Sequence, residues 1–276
     1  MTDLACTSLQ QEIARDLQVS AFFDVQQEIE RRVAFLADQL TSTGLRSLVL
    51  GISGGVDSMT AGRLCQLAVE RVRAAGREAT FFAMRLPYGA QADEKDAQLA
   101  LEFIRPDQVL TVDVKSASDA ALEAVLASGM VFRDAHHQDF LHGNIKARQR
   151  MIVQYAVAGA HEGLVVGTDH AAEAVSGFFT KFGDGAADVV PLTGLTKRRV
   201  RAMSQALGAP SALIQKTPTA DLETLSPGRP DEEALGVTYD DIDDLLEGKP
   251  VDEAAFVAMV RRYRLTEHKR QLPIAP

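Results

Sequence analysis

Ser53-Gly54-Gly55-Val56-Asp57-Ser58 places two glycines, two small hydroxyls and one carboxylate after the apolar run that starts at Val49. Glycines let a backbone approach an anion closely, and a helix beginning here would present unpaired N–H groups to it. A carboxylate at Asp57 would repel that anion unless a cation lay between them, which points to Mg²⁺ held between Asp57 and a polyphosphate. No lysine follows Gly55 at the spacing of a Walker loop, so hydrolysis of a γ-phosphate is a poor fit. The plain alternative is a strand-to-helix turn that needs glycine, with Asp57 and Ser58 as capping residues.

A second group follows the apolar run "GLVVGTD": Thr168, Asp169 and Glu173. They fall where the strands of an α/β sheet end and ligands bind, or else they simply start a capped helix. His170 beside them could serve as a base, but a lone histidine beside a cap is more often structural, and His136 and His137 read as surface residues preceding a helix. "KRRVR" and "RRYR" read as solvated helix faces. "DDIDDLLEG" lacks the glycine and terminal glutamate of a calcium loop and reads as an acidic face.

The elements that must carry these groups alternate. The stripe at residues 29, 33, 36 and 40 predicts a helix over 26–40. Strands are expected at 47–52, 79–87, 107–114 and 163–169, with a short fifth at 187–192. Helices are expected over 57–76, 93–104, 118–126, 138–160 and 196–208, the last capped by Thr196 and ended by Gly208. Such alternation predicts a doubly wound parallel α/β sheet flanked by helices, with right-handed crossovers and extra terminal helices near 239–248 and 252–265. The Pro-, Gly- and acid-rich stretch from Gln215 reads as a long loop. There is no internal repeat and no domain boundary, so residues 1–276 read as one domain.

The bulk numbers narrow the function. The chain has 276 residues, 46% of them hydrophobic, and a formal net charge of −9. A nucleic-acid binder would more often be basic, so that class is disfavoured. Two cysteines with no C-x-x-C pair suit a reducing cytoplasm. No secretory signal is expected, and no apolar run reaches membrane-spanning length, so no membrane partner is expected.

The loop S-G-G-x-D-S resembles the pyrophosphate loop of the ATP pyrophosphatase group. With "GNIKARQRM", "GTDHAAEAVSGFFTKFGDGAADVVPLTGLTKR", "PTADLE" and "TEHKR", the chain resembles ammonia-dependent NAD synthetase from about Gln26 to Arg270. The resemblance implies a ligase that adenylates the carboxylate of nicotinic acid adenine dinucleotide with ATP. Ammonia then displaces AMP, and pyrophosphate is released earlier.

It also implies residue roles. ATP would be held by Gly51, Ile52, Ser53, Gly54, Gly55, Val56, Asp57 and Ser58, and by Arg85, Thr168, Lys197 and Thr219, with Asp221 and Glu223 beside the last. Magnesium would be held by Asp57 and Glu173. The dinucleotide would meet Arg148, Phe178, Lys181, Phe182, Asp188, His268 and Lys269. Asp57, Glu173, Lys181, Asp188 and Lys197 would be catalytic. A homodimer is implied, with the helix at 26–40 as a candidate interface and the loop at 215–232 mobile until ligands bind.

Rival readings fit less well. A tRNA sulfur-transfer enzyme would need reactive cysteines and a basic RNA face. A GMP synthetase or a glutamine-dependent synthetase would need a further domain. A non-catalytic ATP-sensing module would have no use for acids at both 57 and 173.

Overall fold

The computed structural model describes residues 3–89, 94–219, 222–273 and 275. In chain order the elements are α1 (Asp3–Asp16), α2 (Val25–Thr43), β1 (Ser47–Gly51), α3 (Val56–Ala74), β2 (Thr80–Arg85), α4 (Glu94–Ile104), β3 (Gln108–Thr111), α5 (Lys115–Ala127) and α6 (Ala135–Ala160). There follow β4 (Gly163–Val165), α7 (Ala171–Ser176), α8 (Lys197–Ala206), α9 (Ser211–Ile214), α10 (Asp231–Leu235), α11 (Tyr239–Leu246), α12 (Glu253–Leu265) and α13 (Glu267–Arg270). Asp93 and Asp221 lie outside the described residues.

Four strands pair in parallel in the order β3-β2-β1-β4. Val49 sits beside Phe82 on one side and Val165 on the other. Chain order reverses between β1 and β4, and this opens a crevice at their C-terminal ends. Residues 48–50 are fully enclosed, as a central parallel strand covered on both faces requires.

Three departures from the sequence expectations have clear causes. The fifth strand at 187–192 is reduced to one parallel bridge, Val166 with Val189, because the chain then turns through Pro191. The helix expected from residue 138 starts earlier, at Ala135. The Asp134 carboxylate caps it by accepting from the N–H of His137, so His136 and His137 lie in its first turn. Helix α1 was not expected at all; its Ile13 seals a second apolar cluster with α7, α11 and α12.

Helix α2 spends its apolar stripe inward. Val33, Leu36, Ala37 and Leu40 join the main core against α3 and α8. That is the core-packing role, and of its large apolar side chains Phe35 is left exposed.

Gly54 controls how β1 enters α3. Its φ is +87°, a left-handed conformation that costs other residues roughly 1–2 kcal/mol. A Cβ there would also lie 2.8 Å from the backbone nitrogen of Ala97 in α4. We expect Gly54→Ala to destabilise the fold by about 2 kcal/mol or more, lowering Tm by roughly 4–8 °C. Thermal unfolding checks this; an unchanged Tm would show that the loop and α4 move apart freely.

Candidate active site

The phosphate-loop residues sit at the crevice. Gly55 is the N-cap of α3 but supplies no side chain, so no side-chain cap satisfies the first N–H groups of that helix. They face the cavity mouth as an anion site. The loop is shaped from within: Ser53 N–H donates to Ser58 Oγ at 3.2 Å, and Gly55 N–H to Ser53 Oγ at 3.2 Å. From α6, the Gln154 side-chain oxygen accepts from Gly51 N–H at 2.7 Å. Ile52 gives its carbonyl to the buried guanidinium of Arg85, which also pairs with Glu94 at 2.6 Å.

Beside the loop, side chains from three helices and one strand end converge. Lys197 Nζ donates to Asp57 Oδ2 at 2.6 Å. His170 Nε2 lies 3.3 Å from Asp57 Oδ1 and 3.6 Å from Glu173 Oε1. Lys197 and His170 are almost wholly enclosed. Lys197 is pinned at its backbone, where Asp243 of α11 accepts from the N–H groups of Lys197 and Arg198 at 2.9 and 2.6 Å. The Lys197 ammonium stands 4.9 Å from the Tyr239 ring centre, and Tyr239 OH donates to Asp231 at 3.0 Å.

The charges constrain one another. Burial opposes ionisation of Asp57, yet Lys197 and His170 hold its carboxyl far below the usual carboxylate range. Burial opposes the charge on Lys197, yet Asp57 and Glu173 keep its pKa raised. Burial likewise works against protonated His170, and the Glu173 and Asp57 carboxylates outweigh it, so its pKa is raised. Glu173 is the misfit: burial pushes its carboxyl up to about 8, against the pull of His170.

Such a centre fits a hard divalent cation. Ligand atoms of Asp57, His170 and Glu173 lie within 4.8 Å of one another. Asp57 Oδ1 makes no hydrogen bond, with His170 Nε2 3.3 Å away. The free Asp57 Oδ1 and a Glu173 carboxyl reluctant to ionise are what such an ion would engage.

A cavity of about 430 Å³ spreads from this centre. Among the expected residues, Gly51, Ile52, Ser53, Gly55, Val56, Asp57 and Ser58 line it, and Gly54 supports the loop from behind. Arg85, Thr168, Glu173, Phe178, Lys197, Thr219, Glu223 and Lys269 also line it. Lys269 reaches in by donating to the carbonyls of Gly177 and Phe179, both at 2.8 Å.

Other expected residues stand elsewhere. Arg148 donates to the Lys181 carbonyl at 3.2 Å, and Lys181 Nζ to the His268 carbonyl, forming a chain away from the cavity lining. Phe182 is half exposed, with φ of 60°, and does not line the cavity. Asp188 accepts from Val165 N–H at 2.7 Å and from Tyr155 OH at 3.3 Å, so in this structure it ties down the end of β4.

Sequence reasoning missed several groups. His170 was read as merely structural, yet it lies at the centre. Asp184 lines the cavity, and together with burial it pushes Asp169, which the sequence already placed at the strand end, up to about 7. Both acids stand within the segment "GTDHAAEAVSGFFTKFGD", so proximity in sequence was the available signal. Tyr239, Asp243 and Gln154 carried none, since they arrive from distant helices.

The raised Glu173 predicts a pH effect. In the unfolded chain Glu173 ionises near 4.5, while in the fold it holds its proton to about 8. Stability from this group is therefore full below about 4.5 and falls as pH rises towards 8. Without divalent cations, Glu173→Gln should be more stable than the parent at pH 8, by about 1 kcal/mol or more. That gain should shrink towards pH 5. Tm measured at both values with chelator present checks the sign; a variant less stable at pH 8 would contradict it.

The comparisons with known proteins agree with this geometry. The sequence profile described as NAD synthase matches residues 28–273. The chain is 76% identical to the NH(3)-dependent NAD(+) synthetase of Streptomyces coelicolor, over 100% of both chains. The crystal structure of NAD+ synthetase from Burkholderia pseudomallei superposes with a TM-score of 0.85 at 61% identity, covering 97% of this chain and 98% of that one. An NMN synthetase structure from Francisella tularensis gives 0.80 at 32% identity, covering 92% and 99%. A pyrophosphate-type loop without its own lysine, a carboxylate–lysine centre at the switch point and these full-length matches together place the chain in the NAD synthase family.

Proposed function

We propose that this chain joins ammonia to the carboxylate of nicotinic acid adenine dinucleotide at the expense of ATP. The observation that carries this reading is the position of Asp57, Glu173 and Lys197 around the open end of a phosphate loop. A carboxylate oxygen of the substrate attacks the α-phosphorus of ATP. The bond to the β-phosphate oxygen breaks, and pyrophosphate leaves. The nitrogen of ammonia then attacks the acyl-adenylate, AMP departs, and one proton is lost.

The residues divide that work. The N–H groups at the start of α3 and the Ser53 and Ser58 hydroxyls hold the departing β and γ phosphates. Mg²⁺, with Asp57 and Glu173 as its ligands, would neutralise phosphate charge. Lys197 is fixed by Asp243 where charge develops on the α-phosphate, so little reorganisation accompanies the reaction. Thr168, Arg85 and Thr219 line the ATP side, and Phe178 and Lys269 the acid side. Asp184, which accepts from Thr180 N–H at 3.0 Å, lines the cavity and Asp188 does not, so Asp184 is the better placed to take a proton from ammonium. Arg148, Lys181, Phe182 and His268 then serve the dinucleotide beyond the cavity.

Free ammonia as nitrogen donor is supported by the Streptomyces coelicolor relative, which matches from end to end under that name. A cytoplasmic site of action rests on the cysteine usage of the sequence. Among the described residues no helix is long and apolar enough to cross a membrane.

The reading includes a homodimer, through α6 rather than α2. Phe140, Tyr155 and Ile152 are exposed along α6 over a sector of about 120°, with Phe140 and Ile152 53% and 51% exposed. Phe140 also lines the cavity, so this surface continues the site. A cavity of about 430 Å³ suits one ligand of ordinary size. A dinucleotide bound beside ATP must run out past Phe140, where a second copy would cover it.

Two measurements test this. Protein given ATP, Mg²⁺, ammonium and the acid dinucleotide should yield NAD and AMP in equal amounts. Lys197→Met should lower kcat by about 10²–10³-fold. Faster turnover of the acid mononucleotide would instead favour the reaction named for the Francisella tularensis structure. Sedimentation should show a dimer at micromolar concentration and a monomer for Ile152→Glu; a monomeric parent would end the dimer proposal.

A further inference from the structure

Helix α6 carries three residues that the reaction scheme does not use. Asp139, Gly143 and Lys146 fall four and three residues apart, hence on one face. Asp139 and Lys146 are buried, though both side chains are charged. All three meet the segment Leu222–Leu225. The Asp139 carboxylate accepts from Thr224 N–H at 3.0 Å and from Leu225 N–H at 2.7 Å. Lys146 Nζ donates to the Leu222 carbonyl and to Thr224 Oγ1, both at 2.9 Å. Between them, a Cβ on Gly143 would come 3.1 Å from Leu222 Cβ and 3.3 Å from its carbonyl oxygen. A glycine inside a helix is unfavourable on its own account, and here it opens the room for that backbone.

The seat borders the ATP cavity. Phe140, Asn144 and Ala147, on the adjoining face of α6, line the cavity, as do Leu222 and Glu223 of the seated segment. Lys146 also reaches a second wall. Its ammonium lies 4.2 Å from the ring centre of Tyr88, in the segment that follows β2. Tyr88 OH in turn donates to Asp119 of α5 at 2.5 Å, and Lys115 stands 4.8 Å from the same ring. Arg150, one turn beyond Lys146, donates to the Leu86 carbonyl at 2.9 Å, so α6 grips both segments.

We propose that Asp139, Gly143 and Lys146 are positioning residues that seat Leu222–Leu225 over the nucleotide cavity. We further propose that Lys146, through Tyr88, couples this seat to the wall formed by the segment after β2. The two walls then settle together, and binding is reported by both. The kinetic consequence rests on the ligase reading above; the structural one does not. Unseating the segment lowers the fraction of molecules ready to bind, so apparent affinity falls by that fraction while turnover at saturation persists.

The experiment compares Lys146→Met, Lys146→Arg, Gly143→Ala and Tyr88→Leu with the parent. Hydrogen exchange is followed at the Thr224 and Leu225 amides, and KM and kcat are measured for ATP. Lys146→Met should speed exchange at both amides and raise KM about tenfold with kcat within about twofold. Lys146→Arg should restore most of both, since a guanidinium can donate to the same two oxygens. Gly143→Ala guards against a folding artefact: alanine favours the helix, so Tm should hold or rise while the segment loosens and KM increases. Tyr88→Leu touches no residue of the segment, yet should quicken exchange at Thr224. Unaltered exchange in Lys146→Met and Gly143→Ala would overturn the seat, as would a fall in kcat at constant KM. Unaltered exchange in Tyr88→Leu alone would overturn the coupling. Should the parent make no NAD, the ligase reading fails while the exchange results still decide the seat.

Discussion

An ammonium group with almost no access to water must have its charge met by the protein, and Lys197 is such a group. Asp57 meets it directly, and Asp57 can do so only because β1 turns sharply into α3 at Gly54. Asp243 holds the start of α8, and through it the lysine backbone, from α11. Tyr239, from a helix far along the chain from the phosphate loop, closes the floor. The pair joins α3 to α8 within the main core, and Asp243 and Tyr239 of α11 carry the link on to the second apolar cluster. Remove either charge and the other is stranded in a low-dielectric interior, so the two halves of the molecule share one electrostatic condition.

The sheet places this pair where it can act. Parallel strands send every following helix start to the same edge, so the openings of α3 and α7 face one crevice between β1 and β4. One start offers bare N–H groups; the other offers Glu173 from its first turn. The imbalance within the centre is also directional. Asp57 is over-supplied with positive charge, whereas Glu173 is driven towards its neutral form, which leaves the centre short of a positive charge beside Glu173. A cation beside Glu173 would relieve that asymmetry.

Around the centre, polar side chains from α6 serve as fasteners rather than as reactants. Gln154 holds the phosphate loop, Arg150 the segment after β2, and Asp139 with Lys146 the segment that follows α9. A single helix thus sets three walls of one cavity. The same helix exposes apolar surface at Phe140, which also lines the cavity, and further round at Ile152.

Much of this was legible in the chain itself. Alternating apolar runs and amphipathic stretches dictated a parallel α/β sheet, because periodicity is a local property. The turn at Gly54, the capping of α8 by Thr196 and the carboxylates at 57 and 173 were readable for the same reason, since each depends on neighbours within a few residues. Motif spacing also carried the family. It did not separate residues in the cavity, such as Lys269 and Phe178, from Asp188, Lys181 and Phe182, which the fold turns to other contacts. Nor did it reveal helix α1, the central place of His170, or the support from Gln154, Tyr239 and Asp243. Sequence alone determined which groups were available and which short elements present them. Only the tertiary structure decided which of them share a desolvated space, because charge, burial and hydrogen bonding between residues a hundred positions apart exist only once the chain has packed.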